Sequence, residues 1–313
     1  MGKRVVSFLL LLVVIGIFGL LVYHIEIPTI PSTQSTTTPE PVPTVEATAT
    51  VMPTVMPTVT PTPATRLELH QINVGCGDAY LIKSDNLAIM VDGGEKDSNS
   101  GGKGVRQRVL NYLEKAGITH LDAYIATHWH GDHVENMYAI LNEFGTEDTI
   151  VYGNSSKLPS GYSIPFGKGT YVQMIDGNAF TFGNTVIKCM GPYKLFNSEN
   201  MNSLNFLITH KDVKMLMTGD YVHKEILDKY KDELENIEVF KAAHHGLKVS
   251  DYSGSRAVLP TLNPKVVLVS ANSSGPLRSV LANQGINASV YDNKNGNIVV
   301  ISDGEKIRVN TDK

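Results

Sequence analysis

The run Thr127-His128-Trp129-His130-Gly131-Asp132-His133 constrains this 313-residue chain more than any other segment. Four groups able to ligate a metal fall within six residues. Strand spacing of two would put His128, His130 and Asp132 on one side of the backbone. His133 follows where Val134–Phe144 reads as a helix. Neutral imidazoles with a carboxylate suit a divalent transition metal, and an incompletely filled protein ligand set leaves room for a reactive water. A polar surface loop with chance histidines is the plainer alternative. It fits poorly with the clustering, because five of the ten histidines lie in this run and in His244-His245. The preceding Leu121–Ala126 is short and mostly apolar and reads as a buried strand. The candidate ligands therefore follow the carboxyl end of a strand, where α/β layers place their sites.

Alternation at period two marks Leu67–Val74 as a half-buried strand. Ala79–Lys83 and Leu87–Val91 read as a hairpin around Ser84-Asp85-Asn86. Lys103–Ala116 is an amphipathic helix with Val105, Val109, Leu110 and Leu113 inward, stopped by Gly117. Residues 150–197 read as strands and turns. Leu204–His210 and Lys214–Met217 form a further hairpin, Tyr221–Glu235 a charged helix, and Ile237–Ala243 a strand leading to His244. Val266–Ser270, Ala288–Tyr291, Ile298–Ser302 and Lys306–Val309 complete the strands. The class is α/β.

Ahead of this domain, residues 1–27 read as a signal anchor. Lys3 and Arg4 precede an uncharged run, Val5–Tyr23, long enough as a helix to cross a bilayer. No small-residue cleavage pattern follows, which favours an uncleaved anchor over a signal peptide. The basic end is expected in the cytoplasm, with the folded domain outside the cell membrane as a single-pass protein. Residues 28–65 hold nine of the fifteen prolines and many threonines. Such a segment cannot build a core and reads as an extended linker. Residues 66–313 form the folded domain. The net charge of −4 offers no sign of a polyanion-binding surface. Cys76 and Cys189 are expected as separate packed thiols.

Several further segments, in order, resemble the ComEC-type branch of the metallo-β-lactamase fold. The run at 127–133 matches the HxHxDH signature. Gln71–Ala79 resembles its "DVGQGDA" opening, Met90–Gly94 its "VDGG" turn, Asn202-Ser203-Leu204 its "NxSL" entry, Met217–Asp220 its "LTGD" and Lys241–Gly246 its "KxxHHGS". The resemblance covers residues 67–309 and implies an αββα sandwich holding two divalent metal ions, zinc favoured and manganese possible. It implies that His128 and His130 hold the first ion, Asp132 and His133 the second, and that Asp220 bridges them. One of His244 and His245 completes the second set, while the other contacts a phosphate or protonates a leaving group, so Asp132, His244 and His245 are the candidates for the chemistry. Asp92 orients a ligand histidine. Asn200 or Asn202 falls near the place of a third histidine that is absent between His133 and His210. Cys76 stands in place of the branch's glutamine, Val134-Glu135-Asn136 in place of "xGG" and Leu247 in place of serine, and 272–276 lacks a histidine.

The expected activity is phosphodiester hydrolysis, on nucleic acid among other substrates. The alternatives are hydrolysis of a cell-wall phosphoester, as in teichoic acid choline-esterases that resemble the same branch, and a non-catalytic binding module on this fold.

Overall fold

Parallel strand pairs need long crossovers and antiparallel pairs need only turns, and this chain uses both in each half. The computed structural model describes residues 66–84, 87–95, 104–249 and 253–313. The expected anchor and linker at 1–65 lie outside the described residues. None of the described helices is long and apolar enough to cross a membrane.

The first sheet begins with β1 (Leu67–Gln71), β2 (Ala79–Ser84) and β3 (Leu87–Asp92), paired antiparallel. The chain then crosses over through helix α1 (Val105–Lys115) to β4 (Ala123–Ile125), parallel to β3. Helices α2 (Gly131–Val134) and α3 (Met137–Phe144) lead to β5 (Ile150–Gly153), and β6 (Thr170–Gln173) adds the last parallel strand.

The second sheet repeats the plan. Strands β7 (Ala179–Phe182), β8 (Thr185–Cys189), β9 (Asn205–His210) and β10 (Val213–Thr218) are antiparallel. Then α4 (Ile226–Leu234), β11 (Val239–Lys241), α5 (Ser255–Leu262), β12 (Val266–Val269), α6 (Gly275–Asn283) and β13 (Ser289–Asp292) follow, with parallel pairing from β10 to β13. Finally β14 (Ile298–Ser302) and β15 (Ile307–Thr311) return to the first sheet, where β14 pairs with β1. The strand orders are 15-14-1-2-3-4-5-6 and 13-12-11-10-9-8-7.

Alternation decides the layers. Leu67, Leu69, Tyr80, Ile82 and Ile89 of the first sheet meet Ile187, Phe206, Ile208, Met215 and Leu268 of the second in a central core. The intervening Leu81 and Met90 face the other way and pack on Val109, Leu113 and Ile140 of α1 and α3. Leu216, Phe240 and Val267 likewise pack on Ile226, Leu234, Val258 and Leu277 of α4 to α6. Two sheets with helices on both outer faces make an αββα sandwich.

The elements differ from expectation in four places. Strand β4 ends at Ile125, and Gly131 starts a helix, so strand spacing does not govern His128, His130 and Asp132. The single helix expected over Val134–Phe144 is two helices, broken where Asn136 Nδ2 donates to the carbonyls of Gly93 (2.9 Å) and Glu95 (3.1 Å). The helix expected from Tyr221 starts only at Ile226. Before it, Val222 N donates to Ser253 O at 3.0 Å, and His223 Nε2 donates to Met201 O at 2.8 Å. Helices α5 and α6 were not anticipated. Cys76 and Cys189 are separate thiols with no disulfide between them, and burial pushes them up to about 11 and about 12.

Candidate metal centre

Five strand ends converge on one place. Asp92 ends β3, the 127–133 segment follows β4, Asp220 follows β10, His244 and His245 follow β11, and Ser270 follows β12. Each position lies at or just past the carboxyl end of a strand, and all these strands take part in the parallel ladders. Backbone strain concentrates there too. Asp92, His244 and His245 have φ of 54°, 53° and 57°, a region that non-glycine residues rarely enter and that clusters at functional sites. Two glycines permit the close approach. A Cβ on Gly77 would lie 2.6 Å from the Asp132 carbonyl oxygen, and one on Gly219 would lie 2.6 Å from Ser203 Oγ.

The two carboxylate oxygens of Asp220 divide the cluster. Its Oδ1 lies 3.1 Å from His133 Nε2 and 3.5 Å from His245 Nε2. Its Oδ2 lies 3.7 Å from His128 Nε2 and 3.6 Å from His244 Nε2. On the Oδ2 side, His128 Nε2 and His130 Nδ1 approach to 3.1 Å. On the Oδ1 side, Asp132 Oδ2 reaches His245 Nε2 at 3.1 Å from the rim, where its side chain is 34% exposed.

Each inner histidine has its other ring nitrogen on a carboxylate. His133 Nδ1 meets Asp92 Oδ2 at 2.8 Å, and His245 Nδ1 meets Asp78 Oδ1 at 3.1 Å. Such contacts fix the tautomer and aim the free nitrogen at the cluster centre. Asp92 is held in turn by Thr127, whose N and Oγ1 donate at 2.8 and 2.7 Å. Asp78 is held by the fully buried Lys241 ammonium and by Ser270 Oγ. The ligand atoms of Asp78, His133, Asp220 and His245 lie within 4.8 Å of one another, as do those of His128, His130 and Asp220. Asp78 already accepts from Lys241, Ser270 and His245, so its geometry is that of an orienting group.

These residues fit divalent cations on two observations. His133 Nε2 and Asp220 Oδ1 are buried and make no properly angled hydrogen bond although only 3.1 Å separates them. Moreover Asp78, Asp92, Asp132 and Asp220 set four carboxylates against His133 and His245, and Lys241 pairs with Asp78. Buried charge of that sign needs a counter-charge. The titration behaviour agrees. Burial lowers His133, but Asp220 and Asp92 outweigh it and hold its imidazole well above the ordinary histidine value. Burial lowers His245 too, yet Asp78 and Asp132 raise it to about 9. Protons there can be exchanged for a metal, since ligand imidazoles must be neutral. His128 lies well below the usual range, through burial and the neighbouring His133. Burial opposes ionisation of Asp220 and Asp132, but the surrounding histidines hold Asp220 well below the carboxylate range and Asp132 at about 2.

All seven candidate ligands come together here, and Asp92 lies directly behind His133. The two asparagines lie in the turn before β9, and Asn200 Oδ1 is buried there without a hydrogen-bond partner among the described residues. Asn202 accepts from Phe196 N at 2.7 Å and donates to Phe196 O at 3.1 Å, so its amide is committed to the 196–202 loop. Asn200 is in the same single turn of 3-10 helix. Asp78, Lys241, Thr127 and Ser270 were not singled out from sequence. Asp78 and Lys241 sat inside quoted motifs, which was the available signal.

A family model described as the metallo-beta-lactamase superfamily matches residues 73–268. No curated protein matches the sequence. Among solved structures, the chain is similar to the metallo-beta-lactamase fold protein YhfI from Bacillus subtilis. The two are 14% identical with a TM-score of 0.51, over 78% of this chain and 100% of that one. It is also similar to Tm1679, a metal-dependent hydrolase of the beta-lactamase superfamily, at 14% identity and a TM-score of 0.49, over 73% and 95%. A diphosphatase from the PhnP family matches at 11% identity and a TM-score of 0.47, over 73% and 94%. The chain belongs to the metallo-beta-lactamase superfamily of metal-dependent hydrolases.

Proposed function

We propose that the domain is a dinuclear phosphodiesterase of the ComEC-type branch, carried outside the cell membrane by an N-terminal anchor. The observation that carries the reading is Asp220, whose two oxygens face two separate sets of imidazoles. In this reading His128 and His130 hold a first ion, and His133, His245 and Asp132 hold a second. Asp220 serves both. Zinc suits the imidazoles, and manganese suits the carboxylate-rich second set. Two ions so held would activate water and stabilise both the attacking and the leaving oxygen of an in-line displacement at phosphorus.

The chain's own residues supply the rest. Asp92 and Asp78 hold His133 and His245 in one tautomer. Lys241 keeps Asp78 ionised and in place. Burial lowers His244 below the ordinary histidine value, and its imidazole is 15% exposed. It is therefore placed at the opening to bond a substrate oxygen or pass a proton to a leaving group. A wall phosphoester as substrate is the second reading, supported by the Pro/Thr-rich segment at 28–65, which would hold the domain away from the membrane.

The test is hydrolysis of bis(p-nitrophenyl) phosphate by the full chain, before and after chelation and after adding back zinc or manganese. Turnover that disappears with chelation and returns with metal is expected. A chain that binds metal but cleaves no phosphoester would remove the reaction class and leave a binding module.

A further inference from the structure

The surface beside the first half of the cluster carries one exposed aromatic ring backed by buried and half-buried ones. Tyr193 is 44% exposed. Its ring stands edge-on to Phe196 (5.6 Å, 86°) and to His223 (5.3 Å, 81°), and these two are stacked at 4.4 Å and 15°. Tyr221, next in sequence to Asp220, lies 4.6 Å from the His223 ring. The Lys194 ammonium is 5.6 Å from the Tyr193 centroid and 5.0 Å from that of Phe196. Among the described residues Lys194 has no carboxylate partner.

One tie joins this loop to the ligand segment, and another holds Phe196 within the loop. Glu199 Oε1 accepts from the Trp129 backbone N at 3.1 Å, between His128 and His130. Asn202 clamps both polar groups of the Phe196 backbone. The committed Asn202 amide therefore acquires a role, which is to position Phe196 rather than to ligate a metal.

We propose that Tyr193 and Lys194 form a nucleotide subsite: the heteroaromatic ring of a nucleic-acid substrate stacks on Tyr193, and Lys194 takes a neighbouring phosphate. The proposal rests on the phosphodiesterase reading and names its substrate class. An exposed ring backed by rigid neighbours stacks on any base, and a flexible cation beside it serves the backbone. A polyol phosphate would leave the ring unused.

The test compares the full chain with Tyr193→Ala, Tyr193→Phe and Lys194→Ala on thymidylyl-thymidine and on bis(glyceryl) phosphate, which has no ring. Binding of fluorescein-labelled decathymidylate is measured alongside by anisotropy. Tyr193→Ala is expected to raise KM for the dinucleotide about tenfold with kcat little changed, and to weaken decathymidylate binding similarly. Its KM for bis(glyceryl) phosphate should not move, and Tyr193→Phe should resemble the wild type. Lys194→Ala should weaken decathymidylate binding and flatten its salt dependence. The proposal is overturned if Tyr193→Ala has no effect or raises KM equally on both substrates. It is also overturned if the wild type prefers bis(glyceryl) phosphate, which would point to a polyol phosphate. A wild type that cleaves neither substrate removes the phosphodiesterase reading, and the binding measurement then decides this one by itself.

Discussion

Lys241 shows how one residue can support a site it does not enter. Its ammonium is 1% exposed and donates to Asp78 and, at 3.2 Å, to Gly219 O. It thereby joins the carboxylate behind His245 to the backbone beside Asp220. Lys241→Met would take the lysine cation from the buried Asp78 and leave it to His245 and Ser270. Breaking a buried pair from one side costs about 3–5 kcal/mol. Urea unfolding of the metal-free chain should show a loss of that size, and a loss under ~1 kcal/mol would mean Asp78 is balanced by other groups. At this scale the ligand histidines were legible because their residue types and spacing declare their chemistry. The partners Asp78 and Lys241 were not, because 163 positions separate them and only the folded sheets bring them together.

At the scale of elements, the break between α2 and α3 matters most. Asp132 and His133 sit in the short helix α2, and Asn136 pins the start of α3 to the Gly93 and Glu95 carbonyls beside Asp92. The same joint thus sets His133 against its orienting carboxylate. Asn136→Ala would remove the donor from two carbonyls and cost about 1–3 kcal/mol. It should also weaken metal binding, which competition with a chromogenic chelator would measure. Unchanged stability and affinity would show that the joint is held by packing alone. The alternating strands were readable because period two maps onto the sandwich faces. Helix α5 was hidden by Pro260 within it, and α6 by its sparse apolar residues, although Pro276 in its first turn was a start signal. The break after His133 was unreadable because tertiary contacts to the 93–95 turn create it.

For the molecule as a whole, each sheet is antiparallel on one side and parallel on the other, and the parallel ends carry the site. Strand β1 lies between β14 and β2, with Leu67 opposite Ser302. A chain beginning at Arg66 retains this strand and should be soluble and melt cooperatively. One beginning at Asn73 loses β1 and should not fold. Equal stability of the two would contradict the pairing. The proposed anchor makes a separate claim about topology. Protease added to wall-stripped cells should release a fragment starting within residues 28–65, and full protection would place the domain inside. Whether one carboxylate joins two metal sets is decided by elemental analysis of the purified wild type and Asp220→Ala. Two ions per chain are expected in the wild type, with most of that content lost from Asp220→Ala because both sets lose a ligand; two ions retained in Asp220→Ala would contradict the bridging role.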